Sequence, residues 1–139
     1  MQPTERSLDI THIAGIDSKA VEVLKKNGFH TVKDLLENLS SRKARKELID
    51  KSNLNEKQLR GWVLQAELLT IEGIGPAYIQ LLQRSNINSA ARLSLEDADQ
   101  LHKKLVTINA KYQIVQRLPS RKEVGKWIRL AGRSPYQIM

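Results

Sequence analysis

The chain has 139 residues, 40% of them hydrophobic and 27% charged, with a net charge of +8 and no cysteine. That length corresponds to about one domain, long enough to bury roughly two-thirds of its unfolded surface. The missing thiols exclude disulfides, thiolate metal sites and cysteine nucleophiles together.

The elements follow from capping residues and apolar spacing. Asp17 is placed to cap a helix from Ser18 to Asn27, with Val21, Val23 and Leu24 as its apolar positions. Gly28 ends it, being free to take the left-handed conformation. Thr31 caps a second helix, Val32 to Leu39, and Ser40 or Ser41 opens a third that runs to about Lys51. Asn53 or Asn55 starts a longer helix reaching about Leu69. Pro76 suits the first turn of the next helix, and Ser94 is placed to cap one that continues through Leu105. Ser120 and Glu123 match a capping box, so the last helix starts near Arg121 and ends around Gly132, with Pro135 beyond it. No run alternates with the two-residue period of a strand, so an all-α fold is expected.

The sequence repeats. A shift of 58 lays Ile13-Ala14-Gly15-Ile16-Asp17 on Ile71-Glu72-Gly73-Ile74-Gly75, and also Leu24 on Leu82, Phe29 on Ile87, Thr31 on Ser89 and Leu35 on Leu93. At a shift of 65, GWVLQA (Gly61 to Ala66) falls on KWIRLA (Lys126 to Ala131), and the two tryptophans coincide. Matches in this order point to a duplicated unit of about 60 residues.

The pattern I-x-G-I-G-P-x-x-x-x-L-L, followed by L-H-K-K-L and R-L-P-S-x-x-x-V-x-x-W-I, resembles a bacterial family catalogued only as a domain of unknown function. That family looks like a relative of the helix-hairpin-helix superfamily. The resemblance runs from Leu8 to Ala131 and implies compact, duplicated helix-hairpin-helix units, without implying an activity. The expected organisation is a single domain, 1–139, with units of approximately 8–69 and 70–133 related by a pseudo-twofold axis.

In working helix-hairpin-helix motifs the hairpin reads roughly G-h-G-x-K-x-A, and its amides at a helix N-terminus hold a phosphate oxygen. Carried onto this chain, the first hairpin has Gly15 and Lys19 but Asp17 in place of the second glycine. The second has Gly73 and Gly75 but Ala77 in place of the lysine. Val21 and Ile79 stand at the alanine position, and Asp17 and Glu72 bring negative charge to the phosphate path. Two readings of the hairpins stay open: a turn that lets helices meet, and a phosphate grip.

Charge favours the second half of the chain. Residues 1–69 hold 12 Lys and Arg against 10 Asp and Glu, whereas residues 70–139 hold 11 against 5. On the last helix Lys122, Lys126, Arg129 and Arg133 recur at spacings that line one stripe, opposite Val124, Trp127, Ile128 and Ala131. Arg117 and Arg121 are candidates to extend this ridge. A second basic cluster, Arg42, Lys43, Arg45 and Lys46, is interrupted by Glu47 and Asp50 and reads as a solubilising surface.

Catalytic chemistry has little support. His12, His30 and His102 are isolated, Glu96, Asp97 and Asp99 sit where a helix starts, and no nucleophile elbow or P-loop occurs. The expectation is a non-enzymatic binding module without cofactor or metal. Its expected ligand is nucleic acid, duplex DNA above all, bound without sequence preference through Gly73, Gly75, Lys19, Lys122, Lys126, Arg129 and Arg133. The alternative is a protein-interaction adaptor on the same scaffold, bound to an unknown protein partner. No apolar run approaches a membrane span and MQPTERSLDI lacks a signal core, so no membrane insertion and a cytoplasmic location are expected.

Overall fold

The computed structural model describes residues 8–139. The first seven residues, part of the stretch that bears on targeting, lie outside them. Among the described residues there are eight α-helices: α1 (Ser18–Lys26), α2 (Val32–Asn38), α3 (Arg42–Asp50), α4 (Glu56–Leu69), α5 (Pro76–Arg84), α6 (Ala90–Ser94), α7 (Ala98–Tyr112) and α8 (Arg121–Ala131). A 3-10 turn at Ile10–His12 precedes them, and Asp9 and Thr31 form an isolated antiparallel bridge. Side-chain caps set the starts of α1, α2, α3, α6, α7 and α8. The fold is all-helical, no strand occurs among the described residues, and no helix there is long and apolar enough to cross a membrane.

The chain divides into two compact units, one carrying it to Ala66 together with Tyr136–Met139, the other Glu67–Pro135. In the first unit Asp17 caps α1, and the Thr31 and Asp34 capping box opens α2. Gly28 takes φ +94°, and the Phe29 N–H donates to the Leu24 carbonyl at 2.9 Å, closing the end of α1. Ile10, Leu24, Leu35, Leu36, Leu39, Leu59 and Val63 are buried.

One charged residue joins this interior. Arg45, in the cluster read as a solubilising surface, is fully buried. Its guanidinium donates to both carboxylate oxygens of Glu56 at 3.0 and 3.1 Å and to the carbonyls of Leu39, Ser40 and Met139 at 2.9–3.0 Å. Every donor direction is thus answered, the condition for keeping a charge inside. Its neighbour Lys46 remains at the surface, paired with Asp50.

In the second unit α8 packs against α6 and α7, and α5 against α7. The core gathers Ile74, Ile79, Leu82, Leu93, Leu101, Leu105, Val124 and Trp127. The expected helix from Ser94 through Leu105 is corrected. Ser94 is the last residue of α6, its hydroxyl donating to Ala91 O at 2.7 Å. Asp97 caps α7 instead, because its carboxylate reaches Gln100 N at 3.0 Å, and α7 continues to Tyr112.

Local structure follows the sequence match closely. The shift of 58 carries both ends of α1 onto those of α5, and the shift of 65 carries the start of α4 onto that of α8. Gly15 and Gly73 share positive φ, as do Gly28 and Asn86. The Phe29-to-Leu24 bond has its counterpart from Ile87 to Leu82, also 2.9 Å. The paired tryptophans are both buried, Trp62 7% exposed and Trp127 2%. Trp127 is therefore at least as enclosed as Trp62. Replacing either with alanine is expected to cost about 3–5 kcal/mol, with Trp127→Ala costing at least as much as Trp62→Ala. Denaturant unfolding of the two variants checks the order.

Candidate nucleic-acid interface

The second hairpin lies on α8 because one glycine permits it. Gly73 has φ +95°, a conformation that strains L side chains, and a Cβ there would sit 2.9 Å from Trp127 Nε1. Tyr78, in the first turn of α5, meets the same indole with ring centroids 5.2 Å apart, and its hydroxyl donates to Arg117 O at 2.7 Å. Glu72 and Lys126 form an ion pair between the hairpin and α8. The hairpin and the basic helix thus share one surface.

The start of α5 is open there. Gly75 is its N-cap, with φ −103° and ψ −177°, and contributes no side-chain cap. Pro76 has no N–H, and the Ile79 N–H already donates to Gly75 O at 3.0 Å. The amides of Ala77 and Tyr78 are left as the opening donors of the helix, without intrahelical acceptors. Ala77 is exposed, and Gly75 and Tyr78 are half-buried.

The first hairpin is closed by its own side chains. Asp17 Oδ1 accepts from Ala20 N at 2.7 Å, taking an opening donor of α1. The buried Gln65 amide accepts from Ala14 N at 2.9 Å and donates to Ala14 O at 3.0 Å. Lys19 is exposed on the first turn of α1 in the first unit. The other six expected contacts, Gly73, Gly75, Lys122, Lys126, Arg129 and Arg133, belong to the second.

Lys122, Lys126 and Arg129 on α8 are exposed, with Val124, Trp127 and Ala131 buried; Arg133, expected on the same helix, is exposed in the turn just past its C-cap Gly132. Lys126 is held by Glu72, and that pairing draws the Glu72 carboxyl below its ordinary pKa. Lys122, Arg129 and Arg133 pair with no acid among the described residues. Arg117 and Arg121 do not extend this set. Arg117 grips Glu123 through two bonds of 3.1 and 2.8 Å, and Arg121 is paired with Asp99. The Arg117 guanidinium, with the Ser120 N–H, lowers the Glu123 carboxyl to about 2.

Sequence reasoning missed Tyr78 and the Ala77 amide. The first was hidden because its partner Trp127 is 49 residues away, the second because a backbone donor leaves no residue signature. Among the described residues no group of three or more His, Cys, Asp or Glu side chains gathers as a metal site. A family model described as "Domain of unknown function (DUF4332)" matches residues 14–134. No curated protein and no solved structure matches the chain.

Two outcomes follow from these contacts. Gly73→Ala is expected to cost about 1–3 kcal/mol, the range for a strained backbone position, as read in denaturant unfolding. Glu123 has a folded-state pKa below its unfolded value, so its contribution to stability is present above about pH 4.5 and is lost as pH falls toward 2. Melting wild type and Glu123→Gln side by side across that range should show their difference closing at the acid end.

Proposed function

The chain belongs to the DUF4332 family, and we propose that it is a non-enzymatic module that binds duplex nucleic acid without sequence preference. In this reading its two units are duplicated helix-hairpin-helix elements, of which the second has kept the grip. One phosphate oxygen sits against the opening amides of α5, beside Gly73 and Gly75, where partial positive charge and free donors coincide. Lys122, Arg129 and Arg133 supply attraction along the backbone, with Lys126 joining once it leaves Glu72. Duplex DNA is favoured over single strands because this surface exposes no row of aromatic rings for base stacking.

The observation that carries the reading is the start of α5, which has no side-chain cap, preceded by a turn whose Glu72 pairs with the exposed Lys126 of α8. Asp17 and Glu72, acids near both hairpins, have different weight. Asp17 occupies an amide that a phosphate would need, whereas Glu72 is a surface carboxylate already neighbouring a cation.

The test copies the closed hairpin into the open one. Gly75→Asp supplies the missing cap, so the fold is expected to hold or gain up to about 1 kcal/mol while duplex affinity falls. Glu72→Gln frees Lys126 and removes a negative charge, so affinity should rise modestly. Changing Lys126 and Arg129 together to alanine should lower affinity and flatten the slope of log K against log salt by about 1 for each lost contact. Fluorescence anisotropy of a labelled duplex over a salt series reads all three, with circular dichroism as the folding control. Wild type that shows no salt-dependent binding at low ionic strength would overturn the proposal. Binding that ignores Gly75→Asp would confine it to surface charge.

A further inference from the structure

The first unit holds a half-open cleft of about 530 Å³, running beside α1 from Asp17 to Asn27 and bounded by the α3–α4 turn and by Gln58 and Trp62 of α4. At 1.5 Å per helical residue that edge is about 15 Å long, the length of four or five extended residues at roughly 3.3 Å each. Its accessible apolar lining is the half-buried Val23 and Leu54, beside the buried Ala20 and Trp62. Three exposed cations, Lys19, Lys26 and Lys51, also line it, and none pairs with an acid among the described residues. The one acid in the lining, Asp17, is engaged with Ala20 N.

We infer that this cleft is a docking site for a short acidic peptide segment of a partner protein, with apolar residues alternating with aspartate or glutamate. Charge complementarity argues for the acids. Two of the lysines stand where the ends of α1 and α3 favour a cation, Lys26 as the last residue of α1 and Lys51 as the C-cap of α3. Those helix ends offset part of the positive field, so what remains suits dispersed single charges better than a phosphate dianion. The apolar strip argues for side chains of alternating character, because an extended peptide turns every second residue to one face. Asn53 and Gln58 are exposed in the lining and offer amide donors and acceptors matched to a peptide backbone. A nucleic-acid backbone would gain nothing from the apolar strip, and Trp62, 7% exposed, has too little free ring to stack on a base.

This inference is independent of the duplex proposal, which rests on the second unit. The probe is a fluorescein-labelled six-residue peptide alternating aspartate and leucine, titrated with the full chain at low and moderate salt. Binding is expected, falling at least ten-fold when asparagine replaces aspartate or when serine replaces leucine. The double variant Lys26→Ala and Lys51→Ala should lose at least ten-fold in peptide affinity while keeping its duplex affinity within about two-fold, and a triple variant that adds Lys19→Ala should lose still more peptide affinity. Gly75→Asp should leave the peptide untouched. No peptide binding at millimolar protein, or equal binding by the triple variant, would overturn the inference. Duplex that displaces the peptide and is itself lost in the Lys26→Ala and Lys51→Ala double variant would assign the cleft to nucleic acid. Self-association that the triple variant abolishes would assign it to a second copy of the chain.

Discussion

The second unit is organised around the contact between Gly73 and Trp127. An indole is the largest apolar side chain available, and this one lies nearly enclosed in the core of α5 to α8. Backbone approaches its edge only where no Cβ intervenes, and the approach requires a left-handed turn at the same residue. Both demands select glycine. With the hairpin set against the indole, Glu72 is carried beside Lys126, and the first turn of α5 brings Tyr78 onto the same ring. The turn before the uncapped helix start is thereby brought to Lys126 of the cationic stripe as a consequence of core packing.

The two hairpins show that one backbone geometry supports opposite surface chemistry. Gly15 and Gly73 turn alike, and the bonds from Ile16 N to Ile13 O and from Ile74 N to Ile71 O repeat. In the first hairpin a buried glutamine satisfies the Ala14 backbone and an aspartate takes one opening amide of the helix, that of Ala20. In the second, a glycine replaces the aspartate and the position of Ala14 is taken by Glu72, whose partner is an exposed lysine. Exposed ion pairs of this kind hold little free energy. On the proposed reading, Glu72 would be a loosely held internal counterion that a phosphate displaces.

Caps and periods in the sequence reveal the fold because they are local. Asp17, Thr31, Ser120 and Gly28 each act within a few residues, and each does in the structure what its sequence context implies. Ser94 fails for the same reason it was attractive: Asp97, three residues later, offers a better acceptor at the true helix start. The exposed stripe of α8 is legible from spacing alone. Its charge state is not, because the acids that hold Lys126 and Arg121 come from positions 54 and 22 residues away in sequence. Arg45 is the plainest loss. Set in a run of four cations it reads as surface, while the acid and carbonyls that make its burial tolerable come from Glu56, Leu39, Ser40 and Met139.

The number of cations that lack an acid partner limits what charge alone supplies on α8. Three phosphate contacts give a slope of about −2.7 in log K against log salt, so raising salt from 50 to 200 mM costs about forty-fold in affinity. A surface restricted to Lys122, Arg129 and Arg133 would therefore hold a duplex only loosely at physiological ionic strength. Neutral backbone donors release no counterion, so a phosphate held by the α5 amides is exempt from most of that loss. Lys126 adds a fourth cation when phosphate competes for it, at the cost of exposing Glu72. On the proposed reading, the uncapped Gly75 is what would distinguish a binding surface from a merely basic one, so the second hairpin would contribute more than the larger number of charges on and beside α8.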